Sequence, residues 1–130
     1  MPLRVIRSGR VSAPAAGMAA FTPEGERSWV GAGWDPVYPS EQETLEPGLV
    51  FVAAGATWVV TDVEHDRVRY VRVTPGERAG TVEVRRRGAR SVEVIYDLTA
   101  LNADAEADLQ AFADGFEAML SEWNRALAAA

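Results

Sequence analysis

Few residues in this chain are suited to acid–base or nucleophilic chemistry. The sequence contains one histidine, His65, and no cysteine, which excludes thiolate nucleophiles, disulfides and sulfur metal ligands. A Ser-His-Asp triad or a histidine metal site would have to use His65, and that residue lies in the turn-like sequence EHDR. We interpret His65 as a solvated turn residue and assign no catalytic residue.

The patterns that resemble metal or nucleotide motifs are incomplete. The acidic run DAEAD (104–108) is followed by Leu109, where a calcium loop requires glycine. The stretch GAGW (31–34) lacks the third glycine and the preceding strand of a dinucleotide-binding turn. We therefore expect no metal ion and no cofactor.

The chain is instead rich in large aromatic side chains, including four tryptophans. The stretch FADGFEAMLSEW (112–123) places two Phe, a Met, a Leu and a Trp on one face of a predicted helix. Such residues either fill a core or line a ligand cavity, because ligand pockets are mostly apolar and aromatic with a few polar anchors. The candidates for a cavity wall are Trp29, Trp34, Tyr38, Trp58, Tyr70, Arg72, Tyr96, Phe112, Phe116, Met119 and Trp123.

Arg72 is the polar candidate in this set. On its predicted strand it shares a face with Tyr70, whereas Arg69 lies on the opposite face. If the Tyr70 face points inward, Arg72 meets a ligand carboxylate or hydroxyl; of the two orientations we favour the surface. Glu77 and Arg78 follow the Pro-Gly turn at 75–76, and we expect them to form an exposed pair.

Length and charge restrict the class of protein. At 130 residues the chain forms one domain, long enough to bury roughly two thirds of the surface of its unfolded form. The net charge is −6, and every basic residue other than His65 is arginine. A negative surface repels phosphate groups, so we expect neither nucleic acid nor a membrane as partner. The basic run RRR (85–87) is interpreted as a solvated strand end.

Hydropathy gives no indication of membrane insertion. The N-terminal sequence MPLRVIRSGR has no apolar signal core. The longest apolar stretch, LVFVAAGATWVV, is too short and too interrupted to span a bilayer. We expect a cytoplasmic protein.

Periodicity predicts the elements that position the candidate residues. Alternating, β-branched segments separated by turn signals predict strands at 3–11, 49–53, 57–63, 67–74, 79–87 and 91–100. Two short helices follow the first strand, one within APAAGMAAF and one starting at Thr22-Pro23. The segment 31–48 is predicted to be loop, with a short strand near Val37-Tyr38. Apolar residues at helical spacing predict one long helix over 103–127.

This order of elements predicts an α+β fold. An antiparallel meander has one apolar face to bury, and a long amphipathic helix lying across a curved sheet covers that face.

Three stretches resemble a known superfamily. FTPEGERSWVGAGWDPVY (21–38), YVRVTPGERAGTVEV (70–84) and VIYDLTALNADAEADLQAFADGFEAMLSEWNRAL (94–127) are similar, in this order, to the START-like or SRPBCC superfamily. Its members include polyketide cyclases, pollen-allergen-like proteins and lipid-transfer domains. The resemblance implies a helix-grip fold, with a curved antiparallel sheet around the C-terminal helix and a hydrophobic cavity between them.

The resemblance implies a fold with a ligand cavity, and it does not imply a particular reaction. The leading hypothesis is binding of a small apolar or amphipathic molecule in the cavity. The alternatives are a polyketide cyclase- or aromatase-like enzyme that uses the same cavity, and a structural or regulatory homodimer whose cavity is vestigial.

Overall fold

The computed structural model of this chain describes residues 2–12, 17–31 and 33–129. Its six strands are β1 Arg4–Ser12, β2 Val50–Ala53, β3 Ala56–Glu64, β4 Arg67–Thr74, β5 Arg78–Arg86 and β6 Ser91–Ala100. Its α-helices are α1 Pro23–Glu26, α2 Glu106–Asp114 and α3 Phe116–Ala129, and 3₁₀ turns cover Gly17–Phe21 and Ala103–Ala105. The strands form one curved antiparallel sheet in the order β1-β6-β5-β4-β3-β2.

The sheet has one apolar face because side chains alternate along each strand. In β6 every second residue from Val92 to Ala100 is buried, and the residues between them are partly accessible. Buried and more accessible residues also alternate along parts of β3 and β4. A register shift between Val60 and Asp62 interrupts the pairing of these two strands. The six predicted strands are confirmed, with ends that differ by at most one residue.

The C-terminal helices cover the apolar face. Leu109, Phe116, Leu120 and Leu127 are buried on the side that faces the sheet. A Cβ atom added at Gly9 in β1 would meet the end of the Leu120 side chain, so glycine at this position leaves room for Leu120 of α3 against β1. The α+β helix-grip architecture predicted from the sequence is confirmed.

The prediction of one continuous helix over 103–127 is wrong, because this segment forms a 3₁₀ turn followed by two helices, α2 and α3. Asn102 caps the 3₁₀ turn by accepting a hydrogen bond from the Ala105 N–H. Helix α2 ends at Gly115, whose φ of −91° and ψ of 3° are not helical, and α3 starts at Phe116. The apolar spacing continues across the break, which is why periodicity does not reveal it. Among the helices of the described residues, none is long and apolar enough to cross a membrane.

The segment between β1 and β2 lies over the same apolar face of the sheet, beside the C-terminal helices. The predicted helix within APAAGMAAF falls partly on residues 13–16, which lie outside the described residues, and its remainder is the 3₁₀ turn. Thr22 caps α1 as predicted, because its hydroxyl accepts a hydrogen bond from the Gly25 N–H. The short strand expected near Val37 is a single bridge between Val37 and Val52.

Candidate functional site

A cavity of about 260 Å³ lies between the sheet, the C-terminal helices and the segment around α1. The sheet contributes Phe51, Trp58, Tyr70, Arg72, Arg78, Val82, Val84, Val94 and Tyr96 to its wall, together with Ala54 from the β2–β3 turn. The helices contribute Phe112, Met119 and Trp123, and the segment after β1 contributes Glu26, Val30 and Trp34. The wall is therefore mainly apolar and aromatic, and it also contains two arginines, Arg72 and Arg78, and one carboxylic acid, Glu26.

One end of the wall is a cluster of four aromatic rings. Trp34 meets Phe51 and Trp58 edge-on, at centroid distances of 6.1 and 5.5 Å. Phe51 and Trp58 face each other across β2 and β3 in a stacked arrangement at 5.8 Å, and Tyr70 meets both rings edge-on. The indole N–H groups bond outside the cavity, from Trp34 to the Pro23 carbonyl and from Trp58 to the Ala53 carbonyl. The ring faces and edges are thereby left to form a rigid apolar surface.

Eight of the eleven candidate residues lie on the cavity wall: Trp34, Trp58, Tyr70, Arg72, Tyr96, Phe112, Met119 and Trp123. Their contact with a ligand stays a prediction. The other three lie elsewhere. Trp29 is buried between Phe21 and Trp123, and Tyr38 donates a hydrogen bond to Glu24. Phe116 is only 1% exposed and packs into the core.

The preference for a surface position of Arg72 is wrong. Its side chain lies on the cavity wall, because the Tyr70 face of β4 points inward. Burial lowers the pKa of the Arg72 guanidinium, and the neighbouring Arg78 lowers it further. An arginine nevertheless remains charged at any physiological pH, so the cavity contains a cation.

The expectation that Arg78 forms an exposed pair with Glu77 is also wrong, because Arg78 is half-buried and lines the cavity. Position in a turn suggests exposure, but Arg78 is the first residue of β5 and obeys the alternation of that strand. It therefore shares a face with Val82 and Val84, both buried. The period of two along β5 is the signal that predicts its position.

Glu26, the last residue of α1, is a polar residue of the cavity wall, and no pattern in the sequence predicts this position. It keeps some accessible surface and lines the cavity. Burial alone raises the pKa of its carboxyl well above the ordinary value of 4.5, which favours the neutral acid. Burial is also the main cause that raises the pKa of Tyr70 and of Tyr96, and the nearby Glu26 contributes to both shifts. The Tyr70 hydroxyl lies 3.5 Å from the Phe21 carbonyl, a long hydrogen bond.

Several polar residues lie away from the cavity. His65 is exposed in the turn between β3 and β4. In the RRR run, Arg85 forms an ion pair with Glu83, and Arg87 with Glu93. Over residues 2–12, 17–31 and 33–129, no three His, Asp or Glu side chains gather where they could hold a metal ion.

Comparisons with known proteins identify the fold. No family model matches the sequence, and the search of curated proteins gives no match. Among solved structures, CalU16 from Micromonospora echinospora matches at 19% identity and a TM-score of 0.63, over 97% of this chain and 76% of that chain. A protein from Rhizobium leguminosarum matches at 17% identity and a TM-score of 0.63, over 100% of this chain and 97% of that one.

A protein from Thermobifida fusca matches at 18% identity and a TM-score of 0.58, over 94% of this chain and 93% of that one. At these identities the similarity extends to the fold alone.

Proposed function

We propose that this chain is a START-like domain that binds a small, largely apolar molecule in the cavity between the sheet and the C-terminal helices. The observation that carries the proposal is the cavity of about 260 Å³ with its aromatic wall. An engineered apolar cavity of about 150 Å³ stays free of water and takes up benzene-sized ligands. The volume here is slightly below the range of roughly 300–1,000 Å³ typical of drug-sized ligands, so the ligand is small.

The wall is suited to binding because it is fixed before a ligand arrives. The four-ring cluster is held by edge-on contacts and by indole hydrogen bonds to backbone carbonyls. A preformed apolar surface lowers the ordering cost of association. The START-like resemblance and the fold shared with CalU16 and the other solved structures support this function by analogy.

The direct test is a titration with N-phenyl-1-naphthylamine, an uncharged apolar dye that fluoresces strongly in dry surroundings. We expect saturable binding to the parent protein. Val30→Phe adds bulk to the cavity wall and should weaken the affinity by about tenfold, which corresponds to roughly 1.4 kcal/mol.

The matched control is Val37→Phe, because Val37 is 59% exposed and outside the cavity. It should leave the affinity unchanged. Absence of saturable dye binding to the parent, or equal effects of the two variants, would contradict the proposal.

The second candidate function is a cyclase- or aromatase-like reaction, and Glu26 is the observation that favours it. A carboxyl whose pKa is raised by burial is favoured as the neutral acid, the form that donates a proton. Glu26 shares the cavity with the phenol groups of Tyr70 and Tyr96, and the cavity walls would restrict the conformations of a reactive chain.

Mass spectrometry with a synthetic poly-β-keto thioester tests the second candidate. Conversion to a cyclised product that has lost water, in the parent and not in Glu26→Gln, would support an enzyme. Equal conversion in both proteins, or none in either, would leave binding as the function.

A further inference from the structure

Two arginines line the cavity wall from neighbouring strands of the sheet. Arg72 in β4 is directly opposite Gly80 in β5, and Thr74 is opposite Arg78. Arg72 and Arg78 are therefore diagonal neighbours on the same face of the sheet. The Cβ atoms of diagonal pairs on adjacent strands lie roughly 7–8 Å apart or slightly less, so two arginine side chains at these positions reach a common point.

Each of these arginines is held against an aromatic ring of the wall. The central guanidinium carbon of Arg72 lies 5.0 Å from the ring centroid of Trp58, and that of Arg78 lies 5.4 Å from the centroid of Phe112. Such cation–π contacts attract the face of an aromatic ring and a guanidinium to each other. The N–H groups at the edge of the guanidinium stay available to an acceptor.

Neither arginine has an acidic partner within the described parts of the chain. The ion pairs there involve Arg4, Arg27, Arg67, Arg85, Arg87 and Arg125. The Nε atoms of Arg72 and Arg78 are buried and have no hydrogen-bond partner in that part of the molecule. Burying a cation without a partner costs free energy, and an anion in the cavity would offset that cost.

Glu26 does not supply this anion. It lines the same cavity, but burial favours its neutral form, and it forms no ion pair with either arginine. Glu77, on the exposed β4–β5 turn, is the acidic residue that raises the pKa of Arg72, and its effect is smaller than those of burial, Tyr96 and Arg78. Positive charge therefore predominates at this end of the wall.

We propose that the ligand is a small carboxylic acid. Its carboxylate accepts hydrogen bonds from Arg72 and Arg78, and its apolar body lies against the aromatic wall. A guanidinium matches the geometry of a carboxylate, and such charge-assisted bonds are among the strongest in proteins. The inference rests on the proposed binding function and specifies the class of ligand.

Calorimetric titration at pH 7 with naphthalene-2-carboxylate and its uncharged analogue naphthalene-2-carboxamide tests the inference. The two probes share shape and apolar surface and differ in charge. We expect the parent protein to bind the carboxylate at least about tenfold more tightly than the amide, a difference of roughly 1.4 kcal/mol. Arg72→Gln and Arg78→Gln should each weaken carboxylate binding by about tenfold or more and weaken amide binding by distinctly less.

Arg69→Gln is the matched control. Arg69 is an exposed arginine on β4, on the face opposite Arg72, and its replacement removes the same charge. It should leave both affinities unchanged. Thermal unfolding serves as the second measurement: both cavity variants should unfold cooperatively, so that a loss of carboxylate affinity is not a loss of the fold.

The outcomes separate this inference from the proposed function. Equal binding of both probes by the parent would overturn the carboxylate inference and leave apolar binding intact. A loss of carboxylate affinity in Arg69→Gln as large as in Arg72→Gln would also overturn it, since the effect would then be one of net charge. Failure of the parent to bind either probe would overturn both proposals.

Discussion

The guanidinium of Arg72 lies 5.0 Å from the ring of Trp58, the residue directly opposite it on the neighbouring strand. This contact joins the charged and aromatic parts of the cavity wall. It fixes a long, flexible side chain at one position, at the junction of β3 and β4. This part of the cavity wall therefore lies on the strands of the sheet rather than on loops.

A double-mutant cycle measures this contact. Arg72→Met and Trp58→Leu, singly and together, should give a coupling free energy of about 0.5–2 kcal/mol in chemical unfolding, the range of cation–π pairs. The control cycle combines Trp58→Leu with Arg69→Met instead of Arg72→Met. Because the Arg69 side chain lies on the other face of β4, this cycle should give no coupling. A coupling for Arg72 as small as that of the control would show that the ring does not hold the guanidinium.

Phe116 and Met119, one turn apart on α3, should respond differently to truncation. Phe116 is 1% exposed and packs against Tyr96 and Phe112. Phe116→Ala should therefore cost about 3–5 kcal/mol of unfolding free energy, as expected for a core phenylalanine. Met119 is partly buried and lines the cavity, so Met119→Ala loses fewer contacts and should cost less than about 2 kcal/mol.

Urea unfolding of both variants, with dye titration of Met119→Ala, checks this expectation. Met119→Ala should change dye affinity because it enlarges the cavity. Equal destabilisation by the two substitutions would mean that Met119 is packed on all sides and that the space beside it is filled.

Glu26 should make stability decrease as the pH rises. Burial raises its folded-state pKa above the ordinary value of 4.5, so the folded protein holds the proton more tightly than the unfolded chain. The stabilisation is complete below about pH 4.5 and is lost as the pH rises towards the folded-state pKa. Glu26→Gln should match the parent in urea unfolding at pH 4 and become more stable than it as the pH rises above about 4.5.

Glu24→Gln, on the same helix, is a control whose effect on stability should have the opposite pH dependence. Hydrogen bonds from Arg27 and Tyr38 lower the pKa of Glu24, so its contribution is present above pH 4.5 and is lost as the pH falls. This variant should be less stable than the parent at pH 8 and equal to it at low pH. A stability difference for Glu26→Gln that is independent of pH would contradict the raised pKa.

The sequence predicts the sheet well because the signal is local. Alternation along β4 and β6 places apolar residues on one face whatever the tertiary context. The break at Gly115 is missed because α2 and α3 keep their apolar residues in phase across it. The α+β class follows from the order of the elements, since a meander followed by an amphipathic helix has one apolar face to cover.

The polar part of the cavity is harder to predict. Alternation assigns Arg72 and Tyr70 to one face of β4 but does not say whether that face points inward. The direction of this face depends on how β4 pairs with the neighbouring strands, where Trp58 lies opposite Arg72 and Val82 opposite Tyr70. Arg78 follows a turn, and turns suggest exposure. The position of Glu26 depends on how the segment after β1 folds back over the sheet, and no periodicity encodes that contact.

The most direct test of the central claim is to locate a bound apolar probe by intermolecular nuclear Overhauser effects in protein with labelled valine and methionine methyl groups. With saturating naphthalene-2-carboxamide, we predict contacts from the probe to Met119, Val82 and Val94, which line the cavity. Contacts confined to the exposed Val37 and Val52, or none at saturation, would contradict binding in the cavity.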